Sequence, residues 1–144
     1  MTFSLRDWFP CDLARADVEG KLMYIGVYTD HIVFKNGEFP ARLAQIVFAF
    51  RFKVHDYSEA NGPILFRLVD PNGTVLQTMS GSLPGQLAGD RLNLNLGVSG
   101  LTLPMPGRYK VELSLGTEYK MEDVLKVTGP DENVEATQAS AASA

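Results

Sequence analysis

From Gln45 to His55 the chain runs on a period of two. Ile46, Phe48, Phe50, Phe52 and Val54 fall on one side, and Val47, Ala49, Arg51, Lys53 and His55 on the other. A helix would scatter the three phenylalanines around its circumference, whereas a strand places them all on one face. The stretch is therefore a half-buried β-strand. Two more segments repeat the pattern. Leucine and asparagine alternate from Arg91 to Leu96. Tyr109, Val111, Leu113 and Leu115 point inward from a segment whose Lys110, Glu112 and Ser114 point outward. No segment carries a convincing 3.6-residue apolar period, so the chain is expected to be all-β.

Turn chemistry supplies the connections. Ile64–Val69 runs into Asp70-Pro71-Asn72-Gly73 and then Thr74–Met79. Pro71 presets φ for a turn and Gly73 accepts a positive φ, so this is a hairpin. Phe9–Ala14 and Leu22–Tyr28 flank Asp17-Val18-Glu19-Gly20 as a second hairpin. Glu118–Met121 and Val124–Val127 form a last strand, in which Glu122-Asp123 breaks the alternation and marks a bulge. His31 is read as a loop residue ahead of Ile32-Val33-Phe34. The expectation is about eight strands in a two-sheet antiparallel β-sandwich, with immunoglobulin-like and jelly-roll connections both compatible.

A length of 144 residues fits one domain. Three parts are expected: an N-terminal arm (1–7), the sandwich (8–128) and a C-terminal tail (129–144). After Gly129-Pro130 the sequence turns acidic and then Ala/Ser-rich, and it holds one β-branched aliphatic residue, Val134. Such a segment has too little apolar surface to offset the entropy of ordering it.

Three stretches together resemble a family of small β-sandwich domains from bacterial and phage genomes described only as a domain of unknown function. They are Phe9–Ala14 with Gly20–Asp30, Phe66–Gly73, and Pro106-Gly107-Arg108-Tyr109-Lys110-Val111-Glu112. The Pro-Gly-Arg-Tyr segment is also similar to the start of a late strand in immunoglobulin-like domains. The resemblance spans roughly residues 8–128 and implies a sandwich. It brings no catalytic residues.

The charge balance narrows the function. A net charge of -4 does not suit nucleic acid or an anionic membrane surface. The single cysteine, Cys11, cannot form an internal disulfide, and the N-terminus lacks a signal-peptide apolar run, so a cytoplasmic protein is expected. Chemistry is sparse. The two histidines, His31 and His55, with Cys11 do not form a ligand set of metal spacing, so no metal or cofactor is expected. Cys11 in an apolar strand reads as a small buried side chain, not a nucleophile. Gly81-Ser82-Leu83-Pro84-Gly85 looks like a nucleophile elbow, but no helix follows it. Asp12, Asp17, Glu19 and Asp30 lack calcium-loop spacing and read as solvated hairpin ends. Trp8, Tyr24, Tyr28 and Tyr57 suit either a sugar platform or the core and its edges, and the second is the plainer reading.

The sequence therefore points to a non-enzymatic structural or interaction protein that docks on a larger protein assembly or forms a homo-oligomer. A phage virion accessory protein, on capsid or tail, is the concrete example. A ligand- or carbohydrate-binding module is the alternative. Expected partner contacts are Trp8, Tyr119, Met121 and Val134, the arm, the tail, and the strand edge from Glu118 to Val127.

Overall fold

The computed structural model describes residues 2–16, 19, 21–28, 31–34 and 38–129. They form nine strands: β1 (Phe3–Ala16), β2 (Leu22–Val27), β3 (His31–Val33), β4 (Ala41–Val54), β5 (Pro63–Val69), β6 (Val75–Ser82), β7 (Arg91–Leu103), β8 (Gly107–Leu115) and β9 (Tyr119–Thr128). One sheet has the order β2-β1-β4-β7 and the other β3-β9-β8-β5-β6. All pairings are antiparallel except β3 on β9, which is parallel.

The period-two strand is β4, at the centre of the first sheet. Its neighbour β7 sets Leu96, Leu94 and Leu92 opposite Phe48, Phe50 and Phe52. All six are buried or nearly so, facing the second sheet. Across the interior, Phe66 of β5 meets Phe48 at a ring separation of 4.9 Å and Phe50 at 6.1 Å. β8 contributes Tyr109, Val111, Leu113 and Leu115, each at most 1% exposed. The inward residues are large and alternate on every long strand, so two sheets close over one aromatic-rich core.

Four expectations change. Residues 3–7 are not an arm: they are the first part of β1, and Phe3 is buried against Phe52 and Tyr119. A register shift between Leu5 and Asp7 lets Phe3 and Leu5 before it, and Trp8 and Pro10 after it, all oppose inward-facing residues of β4. The expected bulge at Glu122-Asp123 is absent, because β9 keeps one register with β8 through Glu112↔Glu122 and Val111↔Asp123. His31 is in β3, opposite Lys126. Val47 and Ala49, assigned by alternation to the solvent side, are buried. Phe9 is the cross-strand neighbour of Ala49, and Tyr24 packs edge-on against Phe9 at 4.9 Å, so aromatic rings stand on this face as well.

The two hairpins form as read. β1 pairs with β2, although Asp17, Val18 and Gly20 of their connection lie outside the described residues. β5 pairs with β6, and Asp70 closes the turn by accepting the N–H groups of Asn72 and Thr74, both at 2.9 Å. Among the described residues no helix is long and apolar enough to cross a membrane.

Candidate functional site

Three of the four expected contact residues belong to the fold itself. Trp8 lies over Phe50, rings 5.8 Å apart and 20° from parallel, and its Nε1–H donates to Asp123 Oδ2 at 2.7 Å. It thus ties the first sheet to the second. Tyr119 is 9% exposed and meets Phe52 edge-on at 5.4 Å. Met121 is partly buried against the core and lines a shallow groove of about 210 Å³ with Glu112, Leu113, Ser114, Lys120 and Glu122. The acids there are matched, Glu112 by Arg67 at 2.9 Å and Glu122 by Lys110 at 3.5 Å. Val134 lies outside the described residues, as does the tail beyond Gly129.

The edge of β9 is also committed. β3 covers Lys126–Thr128. Further back, Asp123 Oδ1 accepts the N–H of Val124 at 2.8 Å while Oδ2 takes the Trp8 indole. Asp123 stands opposite the inward-facing Val111, so a carboxylate occupies an inward position at the margin of the sheet. Charges placed this way deter a further strand from pairing.

The open, apolar edge is β2. Its six residues, Leu22-Met23-Tyr24-Ile25-Gly26-Val27, include no polar side chain but the tyrosine hydroxyl. Leu22, Met23, Ile25 and Val27 are 40–46% exposed. Among the described residues only β1 pairs with it, which leaves one row of its backbone N–H and C=O groups without a described strand beside it. These four account for most of the seven large apolar residues exposed among the described ones, the others being Leu65, Val75 and Val124.

Local chemistry holds β2 in place. Gly26 has φ +68°, and any Cβ there would overlap the Asp12 carboxylate. That carboxylate accepts the Tyr28 hydroxyl at 3.0 Å, and the Tyr28 N–H donates to the Pro10 carbonyl at 2.9 Å. The Tyr28 phenol is pushed up to about 12, first by burial and then by its bond to the Asp12 carboxylate. Burial also pushes the Tyr24 phenol up. Beside Phe9, Arg51 grips Asp7 with two bonds of 2.7 Å, and this bonding holds the Asp7 carboxyl below its ordinary value.

Cys11 is fully buried, its Sγ 3.6 Å from the Leu13 carbonyl, and burial pushes the thiol up, away from the thiolate a nucleophile needs. Among the described residues no three His, Cys, Asp or Glu side chains group to hold a metal ion. Trp8, Tyr24, Tyr28 and Tyr57 are all half-buried.

A family described as "Family of unknown function (DUF6941)" matches residues 6–128. The chain belongs to this family. Comparison with curated proteins finds no match. The DUF6941 match begins within β1 and ends at Thr128, the last residue of β9, so it takes in the open β2 strand, the Asp12–Tyr28 bond beside it and both sheets.

Proposed function

We propose that the chain is a non-enzymatic, immunoglobulin-like interaction domain that docks on a larger protein assembly through the edge of β2. The observation that carries this reading is the run Leu22–Val27, apolar, largely exposed and, among the described residues, paired on one side only. Burying such side chains is favourable by roughly 25 cal/mol per Å². Addition of a strand to the free backbone edge would supply the direction and register that apolar contact alone lacks.

The connectivity supports the immunoglobulin-like assignment. β1, β4 and β7 fall where strands A, B and E of such domains lie, and β5, β8 and β9 where C, F and G lie. Tyr109, at the start of β8, donates its hydroxyl to the Met105 carbonyl four residues back at 2.6 Å, which is the geometry of a tyrosine corner. A virion accessory protein, made in the cytoplasm and bound to a capsid or tail, is the concrete form of the proposal. It draws on the sequence resemblance to phage-borne sandwiches and on the scarcity of catalytic groups.

The test compares tagged full-length chain and its Ile25→Lys variant in pull-downs from the native source, with partners quantified by mass spectrometry. Retention of one assembly at fixed stoichiometry, lost in the variant, supports the reading. Equal retention of both proteins, or of neither, overturns it.

A further inference from the structure

We infer that Asn72, in the β5–β6 turn, is a site of self-modification: it loses its side-chain amide through a cyclic imide formed with the Gly73 backbone nitrogen, leaving aspartate and isoaspartate. Asparagine is among the chemically labile side chains. In this step the Gly73 nitrogen attacks Asn72 Cγ, and its proton leaves with the amide group as ammonia. Water then opens the imide ring. Addition at Cγ restores the main chain and gives aspartate, whereas addition at the backbone carbonyl routes the main chain through Cγ and gives isoaspartate. Water is the one co-reactant. The turn lies in the other sheet from β2, so the inference stands apart from the docking reading.

The sequence holds three Asn-Gly pairs: Asn36-Gly37, Asn61-Gly62 and Asn72-Gly73. A following glycine puts no side chain beside the attacking nitrogen and lets the peptide swing toward the amide. The first pair lies outside the described residues. The structure separates the other two. Gly62 is half-buried, its N–H donates to the Glu59 carbonyl at 2.8 Å, and its carbonyl accepts the Leu83 N–H at 2.7 Å. A Cβ on Gly62 would stand 2.9 Å from the Glu59 carbonyl oxygen and 3.2 Å from Gly116 Cα. Swinging this peptide disturbs both bonds and the packed backbone around them. Asn72 and Gly73 are both exposed, and a Cβ on Gly73 would meet nothing within 4 Å. The bond that opposes the swing there runs from the Gly73 N–H to the Asp70 carbonyl at 3.0 Å. One hydrogen bond fewer to break makes the reactive geometry about tenfold more populated at Asn72 than at Asn61.

The product bears on the fold. Isoaspartate adds a methylene to the main chain inside the turn that Asp70 closes through the N–H groups of Asn72 and Thr74. Pro71 of the same turn fills the space over Gly107, two residues before Tyr109.

The test ages the full-length chain in mildly alkaline buffer, folded and in urea, and follows residues 61 and 72 by peptide mass spectrometry. An isoaspartate-specific methyltransferase marks the rearranged product. Asn72→Gln, whose longer side chain closes a ring slowly, is aged alongside, and near-UV circular dichroism confirms that it is folded. In the folded chain, conversion at Asn72 is expected to run about tenfold ahead of Asn61, and in urea the two are expected to run alike. The methyl label should appear on the wild-type peptide that spans residue 72 and be lost from that peptide in Asn72→Gln. Aged wild type should melt at a lower temperature than aged Asn72→Gln, by calorimetry. An amide at Asn72 that survives folded ageing, conversion at Asn61 that keeps pace with it, a label that persists in Asn72→Gln, or equal melting of the two aged proteins overturns the inference.

Discussion

Tyr109 shows how much one side chain holds in this fold. Its ring is fully buried, and its hydroxyl donates to the Met105 carbonyl and accepts the Met105 N–H at 3.3 Å. Two positions earlier, Gly107 has φ +143°, and a Cβ there would stand 2.7 Å from Pro71 Cγ of the β5–β6 turn. The two turn motifs legible in the sequence therefore touch. Tyr109→Phe keeps the ring and strands the Met105 carbonyl, and should cost about 1–2 kcal/mol in urea unfolding. The Tyr28 hydroxyl gives a pH signature. Its folded value, about 12, lies above the 10 of an ordinary tyrosine, so folding favours the protonated form. The resulting stability is complete below pH 10 and is lost as pH rises toward 12. Ultraviolet titration should show a tyrosine ionising about two pH units late, and Asp12→Asn should bring that value down.

At the scale of elements, β1 departs most from its expected role. In segment 1–7 the alternation of Met1, Phe3 and Leu5 is short and runs into Arg6 and Asp7, and the register shift after Leu5 hides its continuation to Trp8 and Pro10. Phe3 is nonetheless 2% exposed. Phe3→Ala is expected to cost about 3–4 kcal/mol, whereas deleting 130–144 should leave the thermal midpoint nearly unchanged. Differential scanning calorimetry on the two proteins checks both outcomes. The inward face of β4 from Ile46 to Val54 was legible because its residues are large, consecutive in register and mostly aromatic, while the start of the strand at Ala41–Ala44 was not. The burial of Val47 and Ala49 was not, since it depends on rings brought from β1 and β2. β9 misled for a related reason. Glu122-Asp123 breaks the apolar alternation, but Asp123 takes an inward position at the sheet margin and is matched there by Trp8, so the strand continues.

For the whole molecule, the sequence makes two sheets and one core legible, because alternation and turn residues are local signals. It does not reveal which strands end up at edges, and the candidate site is an edge. Leu22–Val27 reads like a strand destined for burial, and only the sheet order shows that one side is left open. Sequence alone expects Trp8, Tyr119, Met121 and Val134 to meet a partner. Burial has instead committed Trp8 and Tyr119 to the interior contacts of the sandwich. What is left for a partner is backbone as much as side chain.

Hydrogen exchange by mass spectrometry tests the central claim most directly, on the full-length chain free and bound to its assembly. The account predicts that the amides of residues 22–27 gain protection on association, while those of β6 and β7 keep their free-state rates. Unchanged exchange at 22–27 with new protection on β6 or β7 would contradict it.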